Sequence, residues 1–157
     1  MNKPYIKLYH VIIEIISYVV LIIAIIFATI FVINTDEQIP THYDFNGEIT
    51  GYGSPAVLLF LPLSMLPTNI ILSLVMHFLP SSMMNIPVKI KPGNEIKVYS
   101  DCILMVALIE LILAAFTLIE TIAIANSWGS SIPSIIMVVA MFAIIIGCII
   151  KMYVDNK

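Results

Sequence analysis

The sequence predicts an all-α, polytopic membrane protein with four transmembrane helices, both termini in the cytoplasm, and an ordered extracellular loop between the first two helices. Of its 157 residues, 61% are hydrophobic and 11% are charged, whereas soluble domains are about half apolar and about a quarter charged. Four apolar segments are each long enough to cross a hydrocarbon core of roughly 30 Å. The lysines all lie between or outside these segments, which sets the orientation of the chain.

The apolar segments define one membrane domain, residues 1–157. The predicted helices cover about 10–33, 56–79, 102–125 and 132–150. They leave an outer loop at 34–55 and a cytoplasmic loop at 80–101. The first segment lacks a small-x-small cleavage site, so we expect a retained anchor rather than a signal peptide. The expected location is the cell membrane, where the lipid bilayer is the first partner.

The distribution of charge predicts which loops face the cytoplasm. The N-terminus, the second loop and the C-terminus contain every lysine of the chain: Lys3, Lys7, Lys89, Lys91, Lys97, Lys151 and Lys157. Cytoplasmic regions carry such an excess of basic residues. The first loop holds four acidic residues and no basic one, and the third, around Trp128, is uncharged. The chain has no basic tract, which excludes a nucleic acid as direct partner, and no cofactor is expected.

Residues 39–55 form the most informative loop, because they combine turn-forming, aromatic and polar residues. This composition predicts an ordered loop, with positive φ at Gly47, Gly51 and Gly53 and an aromatic belt that includes Phe45. Four polar residues alternate, and in an extended stretch they would project to one side as a candidate cation site: His42, Asp44, Asn46 and Glu48. The competing interpretation is that Asp44 and Asn46 bind the backbone of the loop. Whether the loop binds a metal stays open.

A two-part motif in this loop resembles a known family. Its residues are Pro40, His42, Tyr43, Asp44 and Gly47, followed by Gly51, Tyr52, Gly53 and Ser54. In this motif the chain resembles the SdpI-type immunity protein family, in its N-terminal membrane domain of unknown function. Pro55 stands where the family often has Lys, and the Arg-containing motif of the immunity protein's C-terminal half is not recognisable. The resemblance implies the same N-terminal architecture, with immunity against a secreted toxic peptide, or signalling that sequesters a repressor, as the suggested role.

Ionisable residues inside the apolar segments are further candidates, because a charge at the bilayer centre costs about 3 kcal/mol or more. They are Glu14, His77, Glu110 and Glu120. Glu14 and His77 lie at similar depth and are expected to pair. Glu110 is the best candidate for a functional group and is expected to find donors at Thr68 and Asn69. The competing interpretation of Glu110 is that a neutral carboxylic acid at this position links helices through hydrogen bonds. Glu120 lies near the outer surface, within reach of water.

The chain has no motif for a nucleophile, a metalloprotease or a phosphate loop, so we expect no enzyme. Three roles follow. The first is a recognition and immunity module that binds an extracellular peptide or other ligand through the 39–55 loop and signals to a cytoplasmic regulator. The second is a small ion- or proton-coupled carrier or channel subunit that uses Glu110, as a homo-oligomer. The third is a structural accessory of a larger complex. The lack of Arg and the wealth of Ile and Asn suggest an AT-rich bacterial or archaeal genome.

Overall fold

The computed structural model describes residues 3–44, 46–127 and 132–157, with side chains from residue 135 onward in the last range. Its helices are α1 (Leu8–Asn34), α2 (Phe60–Phe78), α3 (Glu95–Ala125) and α4 (Ile132–Asp155). Two strands, β1 (Ile39–Tyr43) and β2 (Ile49–Gly53), lie between α1 and α2. Short 3₁₀ turns precede and follow α2, at Pro55–Leu59 and Ser81–Met83.

Among the described residues, four helices are long and apolar enough to cross a membrane. This confirms the predicted number of spans. The prediction of an all-α class is wrong in one element, because β1 and β2 pair as an antiparallel hairpin. The Asn46-Gly47 pair supplies a turn signal between two short segments that contain Ile, Thr and Tyr, which favour strands.

The structure changes the predicted boundaries most at α3 and α4. α3 begins at Glu95 rather than near residue 102, and α4 continues to Asp155 rather than ending near 150. The predicted loop at 80–101 is therefore shorter, and Asp101 lies inside α3. The additional turns carry charged residues, but their apolar members Val98 and Met152 are fully buried. Helices extend beyond their most apolar stretch when such contacts stabilise them.

The core between α1 and α3 consists largely of small and polar side chains. On each helix the buried residues recur at intervals of three and four, which places them on one face. On α1 they are His10, Glu14, Ser17, Leu21, Ala24 and Ala28. On α3 the same face includes Ser100, Ile103, Ala107, Glu110, Ala114, Thr117 and Thr121. Small residues let the two backbones approach closely, as membrane helices commonly do.

The two ends of the helix bundle differ in composition. At the hairpin end, defined by residues 35–59 and the end of α3, Ile39 of β1 packs with Ala28 and Leu58. At the lysine end, defined by the N-terminus, residues 79–94 and the C-terminus, Val88 packs with Val98 and Met152. Trp128 of the predicted third loop, and Phe45 of the predicted aromatic belt, lie outside the described residues.

Candidate functional site: hairpin and buried polar cluster

The turn of the hairpin is closed by the side chain of Asp44. Its Oδ1 accepts hydrogen bonds from the backbone N–H groups of Asn46, at 2.9 Å, and of Glu48, at 2.8 Å. Gly47 has a φ of 83° and its N–H donates to the carbonyl oxygen of Asp44 at 3.0 Å. The interpretation that this side chain binds the backbone of the loop is therefore correct for Asp44. The expectation that His42, Asp44, Asn46 and Glu48 share one side of an extended stretch is wrong, because the last three lie around the turn.

Of the two other glycines of the motif, Gly53 is required by close packing. A Cβ atom built on Gly53 would lie 2.8 Å from Cγ2 of Thr41, whereas one on Gly51 would lie 3.4 Å from the His42 side chain, an ordinary contact distance. The predicted positive φ at Gly51 and Gly53 is wrong, since neither has one. Glycine at position 53 therefore makes room for the Thr41 side chain of β1.

The hairpin is anchored on one side and exposed on the other. Pro40 and Ile39 are buried, whereas His42, Asn46 and Glu48 are exposed and Tyr52 is 60% exposed. Ser54 follows β2 and its Oγ accepts a hydrogen bond from the N–H of Ala56 at 3.3 Å, which starts the 3₁₀ turn before α2. The hairpin is thus held in place by its buried residues, while polar and aromatic side chains on its other side are exposed.

Tyr43 connects the hairpin to α3. Burial, the negative charge of Glu120 and the neighbouring Tyr52 all raise the pKa of the Tyr43 phenol, burial most strongly. Glu120 is half-buried and lies close enough to Tyr43 to act on it electrostatically. Glu120 thus belongs to the hairpin end, as its position in the sequence predicted, and it acts on a residue of the motif.

Buried and half-buried polar side chains of α1, α2 and α3 form a second candidate site, which we call the polar cluster. Its members are Glu14, Tyr18, Asn69, Ser73, His77 and Glu110. Within it, Nε2 of His77 lies 2.8 Å from Oε2 of Glu14. The expected Glu14–His77 pair is therefore present, with the Glu14 side chain 10% exposed and that of His77 35% exposed.

A second contact lies one helical turn further from the lysine end, since Tyr18 follows Glu14 by four residues and Ser73 precedes His77 by four. The Oγ of Ser73 donates to Oε1 of Glu110 at 3.1 Å and lies 2.8 Å from the Tyr18 hydroxyl. Because the single hydroxyl proton of Ser73 is used on Glu110, Tyr18 is the donor to Ser73. The expected donors Thr68 and Asn69 are wrong for Glu110: Thr68 donates to the carbonyl oxygen of Ser64 instead.

Three buried atoms of the polar cluster have no hydrogen-bond partner among the described residues: Oε2 of Glu110 and both amide atoms of Asn69. Glu110 and Asn69 are each 0% exposed. Asn69 lies one turn from Ser73 on α2, on the same face. Buried polar groups nearly always have a hydrogen-bond partner. The unpartnered atoms of Glu110 and Asn69 therefore mark the polar cluster as a candidate functional site.

Sequence reasoning missed an ion-paired group at the lysine end. Nζ of Lys151 on α4 lies 2.6 Å from Oδ1 of Asp101 on α3 and also binds Asp155. Asp101 is 2% exposed. The signal was the presence of Asp101 and Lys151 at the same end of two adjacent apolar segments. Only packing of α3 on α4 brings them together.

The four apolar helices, a buried polar core and a hairpin at one end define the class: a multi-pass helical protein of the membrane type. Within it, residues 19–66 match the family model described as Domain of unknown function (DUF1648). The matched range covers most of α1, the whole hairpin and the start of α2. No curated protein and no solved structure matches the chain.

Proposed function

We propose that this protein is a recognition and immunity module of the bacterial cell membrane, which binds a secreted peptide outside the cell through its hairpin. The observation that carries the proposal is the hairpin turn, in which Asp44 fixes two backbone amides. A turn fixed in this way holds the neighbouring exposed residues in one arrangement before a ligand binds, which lowers the entropic cost of binding.

The charge pattern supports an extracellular hairpin. All lysines lie at the lysine end, and the segment from residue 35 to 55 contains acidic residues and no basic ones. The positive-inside tendency of membrane proteins then directs the lysine end into the cytoplasm. Residues 79–94, with Lys89 and Lys91, are the segment that would contact a cytoplasmic regulator.

The hairpin geometry favours an extended peptide as ligand. A two-stranded sheet has an outer edge on each strand, and extended peptides bind such edges through main-chain hydrogen bonds. His42 and Tyr52 are exposed beside these edges and supply side-chain contacts. The resemblance to SdpI-type immunity proteins suggests a toxic peptide, and the absence of nucleophile or phosphate-binding motifs supports binding rather than catalysis.

The test is survival of a sensitive host with and without this protein, on challenge with membrane-active peptides of related strains. We expect protection, lost in His42→Ala and in Tyr52→Ala. Glu37→Gln is the matched control, since Glu37 is exposed beside the hairpin and outside the motif. All variants must reach the membrane in equal amounts.

The same assay separates the competing functions. If Glu110→Gln abolishes the phenotype and His42→Ala does not, the protein is a carrier or channel subunit that uses Glu110. If neither change matters, the role of a structural accessory is favoured. Binding of the active peptide to the purified protein in lipid discs, weakened by His42→Ala, would establish direct recognition.

A further inference from the structure

The polar cluster contains more negative than positive groups. Glu14 and Glu110 contribute two carboxyl groups, and His77 is the one cationic candidate among the residues of the cluster. If all three were ionised, the cluster would carry one net negative charge in an apolar interior, which is costly. One additional proton makes the cluster neutral.

The contacts indicate where this additional proton is held. Glu14 has His77 as an ionic partner at 2.8 Å. Glu110 has only neutral donors: Oε1 accepts from Ser73, and Oε2 has no partner among the described residues. A proton on Oε2 leaves the bond from Ser73 to Oε1 intact. Glu110 is therefore the carboxyl group on which the additional proton is stabilised.

Among the residues that the structure describes, two ionisable groups act electrostatically on Glu110. These are Glu14 of α1 and His77 of α2. On α4, Lys151 and Asp155 are bound with Asp101 at the lysine end. Exposure decreases along the cluster, from 35% for the His77 side chain to 10% for Glu14 and 0% for Glu110. The cluster is thus accessible from the lysine end.

From this arrangement, we propose that Glu110 is a proton-binding site that exchanges its proton with the lysine end through the Glu14–His77 pair. In uptake, the protonated Glu14–His77 pair transfers one proton to the Glu110 carboxylate, where an O–H bond forms at Oε2, and a hydronium ion at the lysine end then reprotonates His77. Release reverses these transfers, so no proton is gained or lost besides the one exchanged with water. Ser73, which contacts the Tyr18 hydroxyl and donates to Oε1, orients the Glu110 carboxyl group.

A proton fits this site better than a metal ion. Metal cations of the alkali and alkaline-earth type require several converging oxygen atoms. Here the carboxyl groups lie at successive depths and Glu14 is already paired with His77. The unpartnered Oε2 of Glu110 needs only one hydrogen to become neutral.

Infrared spectroscopy of the protein in lipid discs tests the proposal, because a protonated carboxylic acid has its own carbonyl stretching band. We expect such a band at neutral pH, absent in Glu110→Gln and retained in Glu120→Gln. Ser73→Ala should keep the band and shift its frequency, since one hydrogen bond to Oε1 is lost. A band that persists in Glu110→Gln, or no acid band at any pH, would overturn the proposal.

Transfer to D₂O tests the route. His77→Gln keeps a donor for Glu14 but removes the titrating ring, and it should slow deuteration of the Glu110 acid on the order of 10²-fold. Unchanged deuteration would show that protons reach Glu110 another way and would overturn the proposed exchange. Loss of the acid band on addition of sodium at constant pH would identify a metal-cation site instead.

Discussion

At the scale of single residues, the side chain of Asp44 closes the hairpin turn. One oxygen atom accepts hydrogen bonds from two backbone N–H groups, and an ordinary hydrogen bond contributes about 0.5–1.5 kcal/mol net. We expect Asp44→Ala to destabilise the closed turn by about 1–2 kcal/mol, which corresponds to roughly tenfold faster exchange of the Asn46 and Glu48 amides. Hydrogen-exchange mass spectrometry of the hairpin peptide measures this directly.

Asp44→Asn is the matched control, because its amide keeps one oxygen acceptor in the same place. Its exchange rates should lie between those of the natural protein and Asp44→Ala. Equal rates in all three proteins would show that the turn is held by its backbone contacts and Gly47 alone, and would remove the main support for a preorganised recognition surface.

At the scale of secondary-structure elements, the end of α4 is tied to the segment before α3 by Asn156. Its Nδ2 donates to the carbonyl oxygen of Lys89 at 2.9 Å, and its Oδ1 accepts from the N–H of Lys91 at 2.8 Å. Asn156 is 8% exposed. We expect Asn156→Ala to weaken this docking by about 1–3 kcal/mol, because two backbone groups lose their hydrogen-bond partners.

Trypsin cleavage after Lys89 reports the release of this segment, since Lys89 is exposed and Lys91 is followed by Pro92. We expect cleavage at Lys89 to be roughly tenfold faster in Asn156→Ala. Asn156→Asp keeps the acceptor for Lys91 and loses the donor to Lys89, so it should have a smaller effect. A rate that does not change in either variant would mean that other contacts, among them that of Val88 with Met152, hold the segment.

The same elements show what the sequence can and cannot predict. The hydropathy of the sequence located all four apolar helices, because each is about as long as a membrane is thick. The Glu14–His77 pair was predicted because the two residues lie at similar distances from the same end of their helices. The hairpin was missed because strand pairing in a short, glycine-rich segment has little periodic signal. The partner of Glu110 depends on which face of α2 meets α3, so Ser73 and Tyr18 were not predictable from spacing alone.

At the scale of the whole molecule, recognition of a secreted peptide requires the hairpin end to lie outside, and the same orientation sets the side of the membrane with which the polar cluster exchanges protons. Cysteine labelling tests this, since the free cysteines of the described structure, Cys102 and Cys148, can be replaced by Ala. In that background, Glu48→Cys places a thiol on the hairpin and Pro92→Cys places one at the lysine end, and both positions are exposed. A membrane-impermeant maleimide is then added to intact cells.

We expect Glu48→Cys to react in intact cells and Pro92→Cys to react only after the membrane is opened, because lysine-rich segments are retained in the cytoplasm. The reverse pattern would place the hairpin inside, where no secreted peptide could meet it, and would turn the polar cluster towards the outer face. Because the hairpin packs on α1 and α3 through Ile39, it cannot change sides without the bundle. One labelling experiment therefore fixes the direction of recognition and of proton exchange together.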